Sequence, residues 1–205
     1  MSAFLIYIFV IHKGVSAVVQ NFGFIDNNNM PSESCNYGDL PLEDINWAVT
    51  KSYNDIARNH CGAAFVTNLA LYFSSQGFTN LLIDNDINKT FTAIHKIVGN
   101  GPVAVISYKA RKYFSNRGYS LRYRKTCSFK SIQAAISNNR PLGILLTNNI
   151  ASWHWVMAIG WKQYDSSGKY LRIVDGWNNT SDKFYKINSS SILWSSTEYW
   201  IRDKE

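Results

Sequence analysis

The chain is poor in cysteine, in proline and in long apolar runs. Its 205 residues include three cysteines (Cys35, Cys61, Cys127) and four prolines. An odd cysteine count excludes a framework in which every thiol is paired. Neither a CxxC pair nor a Cys/His spacing suited to zinc occurs, so no structural metal is expected. A bridge between Cys35 and Cys127 stays open, and one thiol remains free in either case. No apolar run reaches the roughly 18–20 residues that a membrane-spanning helix requires. The nine apolar residues Ala3–Ile11, followed by Val15-Ser16-Ala17, resemble the core and cleavage site of an export signal, without the usual basic start. A buried strand fits them equally well. If 1–17 is a signal, the mature protein begins near Val18 and is secreted or held at the cell surface. A cytoplasmic location stays open.

Acidic residues are missing from one long stretch. Between Lys109 and Lys130 there are eight basic residues and no carboxylate, and the rest of the chain is close to neutral. Such a segment is either a solvated basic face or an attractor for an anionic polymer. It matches no nucleic-acid-binding signature, so nucleic acid is not an expected partner. What is abundant is apolar and aromatic: 46% hydrophobic and 15% aromatic residues describe a globular chain with a substantial core.

Periodicity divides the chain. Residues 18–46, rich in Asn, Ser, Pro and Gly, predict an extended lead-in. Helices are predicted over Cys61–Ser75 (closed by Gly77), about Asp86–Val98 (stopped by Gly99), about Tyr108–Asn116, and Phe129–Ser137 (capped by Ser128). From Pro141 onward the pattern changes to strands: 141–147, 154–164, 169–175, 183–187 and 198–201. The turn Asp165-Ser166-Ser167-Gly168 folds 154–164 and 169–175 into a hairpin. Helices first and an antiparallel sheet second make an α+β fold.

One cysteine stands where chemistry is favoured. Cys61, followed by Gly62, opens an apolar helix. A helix N-terminus lowers a thiol pKa and offers free N–H groups to an oxyanion. His154 opens the first arm of the hairpin between Trp153 and Trp155, and Asp175 closes the second arm before Gly176 and Trp177. A turn centred between Ser166 and Ser167 places Asp175 opposite about Ala158, near enough to His154 for its carboxylate to accept the imidazole N–H. The expected set is a Cys61 nucleophile, a His154 base and an Asp175 orienting group.

Cys-Gly-Ala-Ala at a helix start, His-Trp-Val-Met-Ala-Ile-Gly-Trp on a strand and Val-Asp-Gly-Trp on the returning strand resemble the papain-like cysteine peptidase superfamily. The resemblance is closest to its bacterial branch of bacteriocin-processing, double-glycine peptidases, and covers about residues 47–187. It implies a papain-like domain over 47–205, with a helical lobe at about 47–140 packed on a sheet lobe at about 141–205. It also implies a peptide or protein substrate, a thioester intermediate, and neither cofactor nor metal. Trp153, Trp155, Trp177 and Gly62 would line or shield the cleft, and the three tryptophans fit the core face of the sheet equally well. The superfamily places Gln six residues before the nucleophile, and here that position is Asp55, which would repel an oxyanion. Asn54 is therefore the expected side-chain donor, with the Cys61 N–H as its partner and Asn59 as the substitute. Alternatives are a cell-wall amidase, endopeptidase or transferase of related fold, or an inactive papain-like binding domain.

Overall fold

The computed structural model describes residues 22–55 and 59–202. The expectations for 1–17 and for the first residues of the lead-in lie outside these. The elements in chain order are β1 (Phe24–Asp26), β2 (Cys35–Asp39), α1 (Cys61–Ser75), α2 (Ile87–Val98), α3 (Ile106–Asn116), β3 (Ser120–Thr126) and α4 (Phe129–Ser137), then β4 (Leu142–Asn149), β5 (Ser152–Tyr164), β6 (Gly168–Val174), β7 (Lys183–Lys186) and β8 (Ile192–Arg202). The fold is a mixture of helices and one antiparallel sheet ordered β1-β7-β6-β5-β4-β8-β3, with β2 added along β5. Among the described residues no helix is long and apolar enough to cross a membrane.

The helix ends follow from local chemistry. Asp86 caps α2 by accepting from the Asn88 and Lys89 N–H groups at 2.7 and 3.0 Å, and Gly99 leaves the helix at a φ of 78° that glycine tolerates. Ser128 and Ser131 form a reciprocal capping box at the start of α4. Lys109 Nζ donates to the Ile97 and Val98 carbonyls at the end of α2, where the helix dipole favours a cation. Asp86→Ala removes the partner of two N–H groups at once. It should cost about 1 kcal/mol, measured as a shift in the urea midpoint with an unchanged slope.

The centre of the molecule is α1, buried from Cys61 to Phe73. A helix apolar on all sides needs partners on all sides. It finds the sheet on one side, where Phe65 stacks between Trp155 and Tyr199. Gly143 of β4 permits this, because a Cβ there would collide with the Phe65 ring. The buried Asn68 uses its amide oxygen and nitrogen on the N–H and carbonyl of Ala48, which ties the segment preceding Cys61 to the same helix.

The two-lobe division expected at residue 140 is not how the elements distribute. β3 lies inside the span read as helical, yet it pairs along its length with β8. It escaped the sequence reading because only Leu121 of its seven residues is buried, the signature of an edge strand with no apolar alternation to see. The lead-in also supplies strands: β1 pairs with β7, and β2 with residues 160–164 of β5. β4 and β2 thus lie end to end along one edge of β5, and they change over at Ile159, an unpaired residue in the β5–β6 ladder whose carbonyl accepts from the Leu40 N–H.

Candidate active site

The bulge at Ile159 positions the expected acid. Strand β6 pairs Ile173 with Ala158 and Val174 with Met157, and ends there. Asp175 therefore continues opposite about Val156, one residue nearer His154 than the same hairpin without the bulge would put it; the turn centred on Ser166 supplies a second residue of shift from the expected Ala158. Beyond Met157, toward the start of β5, no β6 residue pairs with His154 or Trp155. The segment before α1 crosses toward this place. The Thr50 N–H donates to the Gly176 carbonyl at 2.7 Å, and a side chain at Gly176 would touch Ala64 in the first turn of α1.

Cys61 is the first residue of α1 and is buried. Its sulfur is faced by the backbone N–H groups of Trp155, Gly62 and Cys61 itself. Trp155 follows His154 in the chain, so the thiol lies against the strand that carries the imidazole. Burial raises the thiol above its ordinary range, and the three N–H groups only partly offset this.

His154 is buried in an aromatic box. Trp177 stacks on it with ring centres 4.1 Å apart, and Phe22 and Phe24 stand at 5.5 and 6.2 Å. Its Nε2 lies 2.7 Å from the Asp175 carbonyl oxygen. A carbonyl can only accept, so Nε2 carries the proton and Nδ1 is the basic nitrogen. Burial depresses the imidazole to about 4, against weaker opposing effects from the Asp175 carbonyl and charge. Burial thus raises the thiol and lowers the imidazole, and neither group figures among the hydrogen bonds and charges that act on the other. The raised thiol differs from the lowered one expected at a helix start, because desolvation penalises the charged form.

Asp175 orients His154 through its main chain rather than its side chain. The carboxylate accepts from the N–H groups of Trp177 and Asn178 at 2.8 Å each and from the Asn178 amide at 2.7 Å. These bonds fold the turn after β6 and aim the 175 carbonyl at the imidazole. Tautomer control is the same as a carboxylate would give.

The other expected site residues separate into two groups. Trp177 covers His154. Trp153 is half-buried, with its indole N–H on the Ile150 carbonyl and its ring edge-on to Trp194. Trp155 is core and not cleft lining, since it is buried against Phe65. Gly62 is not cleft lining either: a side chain there would meet the Gly101 carbonyl, Ile106 and Val98, so its smallness serves packing between α1 and the 98–106 segment. Asn54 is exposed at the end of the single helical turn Thr50–Tyr53, beside exposed Asp55. Asn59 is exposed with a φ of 55°. Cys35 and Cys127 are both free thiols.

Of Asn59 and His60, the two residues that could cap α1, His60 stands at the cap position, without a side-chain capping bond; its wider role as a buried bracket was not read from the sequence. His60 precedes Cys61 and is buried, with Nε2 donating to the Thr50 carbonyl at 2.7 Å and Nδ1 without a partner. Its packing edge-on against Phe91 and Tyr53 makes it a bracket for the start of α1. Only the adjacency to Cys61 could have pointed to it. Among the described residues no group of three or more His, Cys, Asp or Glu side chains is arranged to hold a metal ion.

No protein-family model matches the chain, and no curated protein matches it. Among solved structures, the chain is similar to the crystal structure of a protein from Bacillus anthracis described as a C39-like peptidase. The TM-score is 0.49 and the identity 14%, over 81% of this chain and 99% of that one.

Proposed function

We propose that this protein is a thiol-dependent hydrolase of peptide bonds, with Cys61 as nucleophile, His154 as general base and Asp175 as the orienting residue. The observation that carries the reading is the position of the Cys61 sulfur. It sits in the first turn of a buried helix and takes the N–H of the residue next to a histidine whose Nδ1 is the free base. During attack on a substrate carbonyl, His154 Nδ1 takes the thiol proton as the sulfur–carbon bond forms. The Cys61 N–H and Asn54 hold the oxyanion. The imidazolium then protonates the leaving amine, and water hydrolyses the thioester.

The test is labelling by a thiol-directed epoxide at neutral pH, alongside hydrolysis of an unfolded protein. Both should be lost in Cys61→Ala. Asn54→Ala should lower kcat about 100-fold at little cost in KM; an unchanged kcat would remove Asn54 from the oxyanion site.

A non-catalytic domain of the same fold is the second reading. It is favoured by the burial of both reacting groups and by the commitment of the Asp175 carboxylate to its own turn. Absence of epoxide labelling in the folded protein, with labelling after unfolding, would select it.

A further inference from the structure

Most of the acid-free segment 109–130 folds into α3 and the edge strand β3, and β3 turns Leu121, Tyr123 and Lys125 to the side on which Arg111 of α3 lies. Some of its cations serve the fold. Lys109 closes α2, Arg117 binds the Asn80 and Leu82 carbonyls, and Arg124 pairs with buried Glu198 at 2.5 Å. Arg111, Lys112, Arg122 and Lys125 remain exposed to solvent. Between α3 and the start of β3 lies a cavity of about 680 Å³, lined by Tyr108, Arg111, Lys112 and the polar residues Ser115, Asn116 and Ser120. No carboxylate lines it.

Two tyrosines stand exposed on this surface, Tyr108 at 56% and Tyr123 at 37%. The Arg111 guanidinium lies 5.5 Å from the Tyr108 ring centre and 5.8 Å from that of Tyr123, so one cation stands between two exposed rings, with Tyr108 lining the groove and Tyr123 beyond it on β3. An acidic peptide would use the cations and gain little from the rings. A chain of phosphodiesters carrying flat bases uses both: cations track the phosphates and tyrosines stack the bases.

We propose that the α3–β3 surface binds single-stranded nucleic acid, with Arg111, Lys112 and Lys125 on phosphates and Tyr108 and Tyr123 stacking bases. Arg122 alternates to the other face of the sheet, beside Trp200, and takes no part. The sequence carries no known nucleic-acid-binding signature; the proposal rests on where the fold places these five side chains, and it is independent of Cys61.

The test is fluorescence anisotropy of a labelled oligothymidylate of about 12 nucleotides, titrated with the whole protein at salt concentrations from about 50 to 200 mM. Binding should weaken with salt with a log–log slope of about −2, as three phosphate contacts on a single strand require. Lys112→Ala should reduce that slope by about 0.7. Tyr108→Ala should weaken binding about tenfold and leave the slope unchanged. Cys61→Ala should bind as the wild type does. Inorganic polyphosphate should compete poorly at matched charge. The proposal is overturned by no binding at low salt, by tyrosine variants that bind normally, or by polyphosphate competing as well as the oligonucleotide, which would mean that the surface reads charge alone.

Discussion

On the proposed mechanism, His154→Gln should leave a folded protein whose kcat/KM on an unfolded protein substrate is at least about a thousandfold lower. The glutamine amide can still donate to the Asp175 carbonyl that now accepts from Nε2 at 2.7 Å, so the turn after β6 keeps its anchor. What disappears is the basic nitrogen. General-base assistance accounts for about 100- to 10,000-fold. Here the thiol starts protonated and above its ordinary range, so no standing thiolate supplies a background rate. Cys61→Ala should give the same loss, and the double variant should lose no more than either single one, because residues acting as one unit are not additive. Kinetics on the three variants, with urea unfolding to establish that each is folded, make the comparison. Additive losses would mean that the two residues do not act on one proton.

The legible parts of this molecule were those governed by local chemistry. α1 and α4 run as their periodicity and caps predict, and the hairpin of β5 and β6 turns where Ser166, Ser167 and Gly168 place it. The strands that stayed hidden, β1, β2 and β3, take their conformation from distant partners. Cys35 to Asp39 is a strand because residues 160–164 of β5 offer it an edge, and nothing within those five residues says so. The same distinction divides the site. Cys61, His154 and Asp175 were visible as residue types at the ends of predictable elements. The chemistry of Asp175 was not, because the turn centre at Ser166 and the extra residue at Ile159 each move it one position along β5 and its carboxylate finds nearer donors in its own turn. The protonation state was also out of reach. Phe22, some 130 residues before His154, helps to bury it, and no spacing rule connects them.

That burial has a measurable consequence in acid. The imidazole ordinarily titrates at 6.5 and does so at about 4 in the native protein. Between these values the unfolded chain holds a proton at residue 154 that the native chain does not, so stability rises with pH across the window. Read downward, the contribution is complete above pH 6.5, falls as the pH drops, and levels off below about 4, where the native imidazole also takes its proton. The gap corresponds to about 3 kcal/mol, a large part of the net stability of a domain. Carboxylate titration also erodes stability in acid, but it is shared with His154→Gln. The difference between the two proteins in urea unfolding from pH 7 to pH 4 therefore isolates the imidazole. The wild type should lose about 3 kcal/mol more than the variant over that range, and parallel losses would show that the ring is not held neutral by burial. Removing part of the aromatic box provides an independent check. Phe24→Ala or Trp177→Ala admits water to the ring, and the titration of His154, followed by its imidazole proton resonances, should move up toward 6.5, because desolvation is the leading cause of its depression. The same variants should make Cys61 label faster with the epoxide, since an imidazole easier to protonate accepts the thiol proton more readily. On the proposed mechanism, a seal that stabilises the fold by keeping this histidine dry also slows the base it encloses.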